Sequence, residues 1–272
     1  MIKRLVVFTA IALLPAMAQD SDASPHAAML QHLRARSGPA RLAVLHNDGT
    51  GESYNWSGYA VTGTNFTRAQ GSWIEPTVSC DSNTNVEWAV FWVGIDGWGD
   101  DTVEQIGTYA ECVDGKVQHA AWWEFYPLND ITEIKSITVS PGDRISTTVT
   151  FADNEFILQI TDETTGKSFS HKGTQTADRS SAEWIAESPC CLNSGLYYPL
   201  PDFGTVLFGE DSTGIEETNF AADSSHRGAF NTFPAGDVIA ITKINQTTGL
   251  TEAVPSAPSS DGTSFSIMWI AP

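Results

Sequence analysis

The chain has 272 residues, 41% of them hydrophobic, and its 33 Asp and Glu outnumber 14 Lys and Arg for a formal net charge of −19. That composition supplies a sizeable core for one or two domains and excludes collagen-like or long disordered architecture. From residue 55 onward nine bases stand among 29 acids, a field that repels a phosphate backbone and excludes a nucleic-acid partner.

The chain opens with Lys3 and Arg4, an apolar run from Leu5 to Leu14, and Ala16-Met17-Ala18. A positive start, a short apolar stretch and a small-x-small site predict a signal peptide over residues 1–18, cut after Ala18. The run is too short to span a bilayer, and no later segment is apolar enough to do so. The product is expected to be exported, to the medium or a periplasm, with no membrane attachment after cleavage.

Residues 19–53 differ in character from the rest of the chain. Arg34, Arg36, Arg41 and three histidines lie within His26–His46, with no acid between Pro25 and His46. Ala27–Arg36 is predicted as a short amphipathic helix, and Asn47-Asp48-Gly49-Thr50-Gly51 as a flexible turn-rich stretch. A basic segment ahead of an acidic domain suits a removable propeptide. It would lie across an acidic cleft at neutral pH and loosen as carboxylates protonate. An unstructured tail is the alternative.

Residues 54–272 are expected to form one domain, and they read as β. Runs rich in β-branched and aromatic residues occur at Trp56–Val61, Ala69–Ile74, Val86–Ile95, Val103–Ala110, Lys116–Tyr126, Ile134–Val139, Arg144–Phe151, Glu155–Asp162, Ser168–Lys172, Ala182–Glu187, Thr205–Phe208, Val238–Ile244 and Ser264–Trp269. Turn residues punctuate them, as in Pro141-Gly142-Asp143. No long 3.6-residue period and no fixed repeat is present. The fold class predicted is all-β, an antiparallel β-sandwich or barrel.

The four cysteines of an exported chain suggest disulfides. Cys80 and Cys112 flank a Trp-rich block and are the favoured pair. Cys190 and Cys191 are adjacent, and either pair with each other or elsewhere. A Cys/His metal site has the wrong spacing, and no cofactor is expected.

Chemistry concentrates in few blocks: Phe91-Trp92-Val93-Gly94-Ile95-Asp96-Gly97, Val103-Glu104-Gln105-Ile106-Gly107-Thr108, Trp122-Trp123-Glu124-Phe125-Tyr126-Pro127 and Ala182-Glu183-Trp184-Ile185-Ala186-Glu187. Strand alternation puts Trp122, Glu124 and Tyr126 on one face, and Glu183, Ile185 and Glu187 on one face with Trp184 opposite. Any single Trp here is more simply core. A Glu or Gln inside such a strand demands a partner. Gly-x-Ser-x-Gly, His-Glu-x-x-His and paired Asp-Thr/Ser-Gly motifs are absent, so serine-, zinc- and aspartic-type hydrolysis lack their signatures.

With Asn55-Trp56-Ser57-Gly58-Tyr59 added, these blocks resemble, in order, those of the glutamic peptidases (eqolisins), over about Tyr54 to Trp269. The resemblance implies a sandwich of two large, seven-stranded antiparallel sheets of the legume-lectin (concanavalin) kind. It also implies a secreted acid endopeptidase acting on protein or peptide substrates and activated by loss of a basic propeptide. It places the catalytic Gln on Gln105 and the catalytic Glu on Glu187. It lines the site with Trp56, Trp92, Asp96, Trp122 and Glu124. The family Asp two residues before Trp122 is Ala120 here. By periodicity alone Glu183 and Glu124 remain competing bases. Glu187 is expected to work as a carboxylate of near-normal pKa, and the protein as a monomer. The rival readings are a glycoside hydrolase using Glu124 and Glu187 and a non-catalytic carbohydrate- or peptide-binding sandwich.

Overall fold

The structure is a computed structural model and describes residues 35–190 and 196–271. The signal peptide expected at 1–18 and the part of the expected propeptide before residue 35 lie outside that range, as do most of the helix predicted at Ala27–Arg36 and Cys191. Arg36 itself pairs in extended form with Cys190. No helix among the described residues is long and apolar enough to cross a membrane.

The strands are β1 (Leu42–Leu45), β2 (Thr50–Ser53), β3 (Trp56–Thr62), β4 (Arg68–Ile74), β5 (Val86–Ile95), β6 (Val103–Val113), β7 (Lys116–Tyr126), β8 (Thr132–Thr138) and β9 (Arg144–Ala152). They continue as β10 (Glu155–Asp162), β11 (Lys167–Gly173), β12 (Ser181–Glu187), β13 (Thr205–Gly209), β14 (Phe220–Ala222), β15 (Arg227–Ala229), β16 (Val238–Ile244), β17 (Thr251–Pro255) and β18 (Ser264–Trp269). A one-turn helix α1 (Glu210–Thr213) and a 3₁₀ turn at Phe230–Thr232 come directly after β13 and β15.

Pairing separates two layers of seven strands each. One runs β8–β7–β6–β5–β12–β3–β16, and the other β11–β10–β9–β4–β13–β18–β17. The β14–β15 hairpin adds to β4. β17 pairs with β16 as well as β18, so it ties one edge of the two layers together. All pairings are antiparallel except β2 on β16, where Thr50–Ser53 runs parallel to Ala240–Lys243. The thirteen predicted strands are all present, within three residues of their expected ends. Five more strands, β1, β2, β14, β15 and β17, go beyond that expectation.

Local chemistry sets these elements. Asp153-Asn154 and Asp114-Gly115 both carry positive φ at two successive residues, the geometry of type I′ turns. They close the β9–β10 and β6–β7 hairpins in register, Ala152 opposite Glu155 and Val113 opposite Lys116. β9 and β10 alternate buried and accessible residues, as a half-solvated strand must. β5, β6 and β12 are buried on both faces.

The core between the layers takes Tyr59, Val61, Phe91, Val93, Ile106 and Trp184 from one layer, and Trp73, Ile145, Val149, Leu158, Phe208 and Phe265 from the other. Each such side chain contributes on the order of 1.5–3 kcal/mol. Trp184 thus belongs to the core, where its indole N–H donates to Gln70 O at 2.8 Å. Cys80–Cys112 is a disulfide, Cys190 is disulfide-bonded, and no described cysteine is free.

Candidate active site

The face of the first layer turned away from this core holds a second buried set. Trp56, Trp92, Trp122 and Ile185 are all fully buried, yet none belongs to the inter-layer core. Register explains the grouping. Gln105 stands opposite Glu124 on β7 and Gly94 on β5, and Gly94 stands opposite Glu183 on β12. Glu187 pairs with Trp56 at the far end of β12. On a flat sheet, two strands and four residues would separate Gln105 from Glu187 by roughly 10 Å across and 13 Å along. Sheet twist and two long side chains close that offset onto one atom, the hydroxyl of Ser37.

Ser37 Oγ lies 3.1 Å from Gln105 Oε1 and forms a short hydrogen bond with Glu187 Oε2. Gln105 Nε2 donates to Ser37 O and, at 3.4 Å, to Glu124 Oε2. Glu124 Oε2 also accepts the Ser37 N–H at 2.9 Å. Glu187 has two further donors: Trp92 Nε1 to Oε2 at 2.9 Å and Asn55 Nδ2 to Oε1 at 3.2 Å. Trp56 stands edge-on to Trp92, ring centroids 5.0 Å apart.

These contacts crowd the Ser37 hydroxyl with acceptors. Ser37 carries one O–H proton but faces two oxygens that normally accept. An amide carbonyl cannot donate, whereas a carboxyl can when protonated. Ser37 Oγ donates toward both Glu187 Oε2 and Gln105 Oε1, and its one proton can satisfy only one of them at a time. Burial, the largest influence, pushes Glu187 up to about 8, against the hydrogen bonds of Ser37, Asn55 and Trp92. Glu124 and Glu183 are pushed well above the usual carboxylate range, again chiefly by burial. The near-normal value expected for Glu187 therefore does not describe this state, because residues 36–41 seal the carboxyl from water.

That sealing segment is held at several points. Arg36 exchanges both backbone hydrogen bonds with Cys190, at 2.7 and 2.8 Å, and its guanidinium reaches Asp130 at 2.5 Å. Trp56 Nε1 donates to Gly38 O at 3.1 Å, and Asn55 Nδ2 to Pro39 O at 3.1 Å. Ala40 N donates to Gly97 O at 2.9 Å. A Cβ on Gly38 would come within 3.1 Å of the Tyr126 ring, so the crossing point is tight. Beyond it an open cavity of about 840 Å³ continues between Pro39, Arg41, Asp100, Tyr126 and Tyr197.

Of the residues singled out in sequence, Gln105, Glu187, Trp56, Trp92 and Glu124 converge here. Trp122 shares their face at the Gly107 register position, and its buried indole N–H has no partner among the described residues. Asp96 makes its contacts elsewhere. Its carboxylate accepts the N–H groups of Arg179 at 2.8 Å and Ser180 at 2.6 Å, which fastens the loop before β12. Burial, then the Asp100 charge, pushes Asp96 up to about 7. Two contributors lie outside the expected set. Asn55 heads one of the quoted blocks, so its place was readable. Nothing local in the sequence singles out Ser37. Among the described residues, the one group of Cys, His, Asp and Glu atoms close enough to hold a metal is Cys80, Glu87 and Cys112, whose sulfurs are joined to each other.

Residues 54–261 match the peptidase A4 family. Aspergillopepsin-2 of Aspergillus niger is 31% identical over 191 residues, covering 60% of this chain and 65% of that protein. Scytalidopepsin B of Scytalidium lignicola is 31% identical over 177 residues, covering 62% of this chain and 64% of that protein. The chain thus spans just under two thirds of the length of these relatives. The solved structure of scytalido-glutamic peptidase with a transition state analog inhibitor is similar at a TM-score of 0.63 and 22% identity, covering 80% of this chain and 98% of that one. At that identity the likeness speaks to the sandwich fold.

Proposed function

The chain belongs to the peptidase A4 family, and from that premise we propose that it is an exported acid endopeptidase that cleaves peptide bonds by direct attack of water. The observation that carries this reading is a single oxygen held between Gln105 and Glu187. In the working enzyme that oxygen is a water. Glu187, as carboxylate, removes its proton while the water attacks the scissile carbonyl. The Gln105 amide N–H donates to the oxygen that becomes negative, and its carbonyl orients the water. Glu187 then hands the proton to the departing amine. Trp92 and Asn55 hold the Glu187 carboxyl in place through its two oxygens. Once residues 36–41 leave the cleft, water returns to Glu187, its pKa falls and an ionised base becomes available in acid.

Residues 1–18 act as the export signal and residues from 19 onward as the propeptide. The Thr50–Ser53 pairing with β16 supports a folded domain that begins before Tyr54. The substrates are proteins or peptides, which take the course now occupied by residues 36–41. The test is digestion of casein in acid with pepstatin present, set beside release of reducing ends from polysaccharides. Casein cleavage that resists pepstatin, without sugar release, is expected. Sugar release alone overturns the reading.

Gly94 offers a second check. A Cβ there would fall 2.8 Å from the Trp92 ring. Gly94→Ala should push the indole off Glu187 and lower kcat/KM by about 10²-fold, with the acid limb of the pH profile shifted. An unchanged profile would mean that Trp92 does not position the base.

A further inference from the structure

The cleft is filled by the chain itself, in a manner that resembles a bound substrate. Arg36 pairs antiparallel with Cys190 through both backbone bonds, as a peptide would along a strand edge. The Ser37 N–H is held by Glu124, and the Ser37 carbonyl accepts from the Gln105 amide, the group assigned to the developing oxyanion. Gly38 and Pro39 carbonyls are held by Trp56 and Asn55. Register, donors and acceptors all place one peptide bond, Ser37–Gly38, at the catalytic groups. What is out of place is the hydroxyl of Ser37. It bonds to Glu187 Oε2 and Gln105 Oε1, the two oxygens that must orient the attacking water.

We propose that residues 35–41 are bound as a substrate whose scissile bond is Ser37–Gly38, and that they stay whole because the Ser37 hydroxyl stands where the attacking water belongs. The inference rests on the peptidase reading and extends it to a residue and a bond. A water has two protons and can donate to both Glu187 and Gln105 with the base ionised. A serine hydroxyl has one, so it satisfies one of the two acceptors at a time, and it cannot be replaced by water while the segment is bound. The side chain therefore blocks the nucleophile's place. Removing the hydroxyl opens room for water. That water would add to the Ser37 carbonyl carbon, losing a proton to Glu187. The C–N bond would then break as Glu187 returns the proton to Gly38 N, leaving a carboxylate at residue 37 and an amine at residue 38.

The experiment compares full-length wild type, Ser37→Ala and Ser37→Ala/Glu187→Gln by intact mass in mildly acidic buffer. The Ser37→Ala chain should release a product beginning at Gly38. Its rate should be independent of protein concentration and at least about 10²-fold above wild type, the scale of recruiting a general base. The double variant should stay whole. A second arm does not depend on how the variant folds. A peptide of residues 35–41 should inhibit acid-incubated wild type and remain intact, while its Ser37→Ala counterpart should be cut between residues 37 and 38. If Ser37→Ala stays whole there while acid-incubated wild type digests casein, or both peptides are cut alike, the proposal falls and the peptidase reading stands. If no preparation digests casein, both fall.

Discussion

Glu187→Gln is expected to lower kcat on protein substrates by at least about 10³-fold, with the fold intact. The amide is the same size and can still accept from Trp92 Nε1 and donate to a neighbouring oxygen, so the cleft keeps its packing. What it cannot do is take a proton from water and return it to an amine, and general acid–base catalysis of this kind contributes about 10²–10⁴-fold in each role. Gln105→Ala should cost about 10²–10³-fold by removing one donor to the oxyanion. The double variant should be little worse than Glu187→Gln, since the two groups act on one water. Glu124→Gln separates the candidate bases, because Glu124 holds the backbone N–H of residue 37 and does not touch the Ser37 hydroxyl. It should raise KM more than it lowers kcat. Full activity in Glu187→Gln would remove Glu187 from the mechanism.

The second large effect concerns stability. The full-length chain should be most stable in acid and weaken as pH rises from about 4.5 to about 8. Burial raises Glu187 to about 8 and Asp96 and Glu111 to about 7, and it raises Glu104, Glu124 and Glu183 in the same direction. The folded chain therefore keeps protons that the unfolded chain has already released near its ordinary carboxylate values. Where the unfolded state binds fewer protons, stability falls with rising pH. For Glu187 alone the interval from 4.5 to about 8 corresponds to roughly 5 kcal/mol. At about 2–4 °C per kcal/mol, Tm should drop by some 10 °C or more across that window. Calorimetry of wild type and Glu187→Gln checks it, and the variant's curve should be flatter. A Tm that holds level or climbs toward pH 8 would show that these carboxyls are ionised in the folded chain.

Acid does not simply release the basic segment, as its charge alone would suggest. Among the described residues, its ion pairing with the cleft is Arg36 with Asp130, on partly exposed side chains. The rest of its hold includes the backbone pairing of Arg36 with Cys190 and hydrogen bonding by Ser37, Gly38, Pro39, Ala40 and Arg41. Most of these bonds run between backbone groups and neutral side chains, so loss of charge alone does not undo them.

Much of the sandwich is legible in residue order. Period-2 alternation separates Trp184 from Glu183, Ile185 and Glu187, and the structure puts them on opposite faces of β12. The Trp-rich strands are long and bounded by Asp, Asn and Gly, so their limits are clear. β1, β2, β14, β15 and β17 are short, and most depend on a neighbour to be strands at all. β2 is one because β1 and β16 run on either side of it. Asp96 is a site residue by the resemblance of its block to the glutamic peptidases, but a positive φ at Asp96 itself redirects its carboxylate to the loop at Arg179 and Ser180. Ser37 is not legible. Its role arises from a chain crossing, where a residue far from any motif meets two strand side chains at once.

The parallel zipping of Thr50–Ser53 onto β16 fixes one end of the stretch that we propose to be inhibitory to the body of the domain. With so short a leash the local concentration of Ser37 at Glu187 is set by geometry, on the order of millimolar or above for a short tether. A free peptide in solution would have to exceed that level before it displaced the resident segment. Severing the chain, and not raising the supply of substrate, is therefore what would switch such a molecule on.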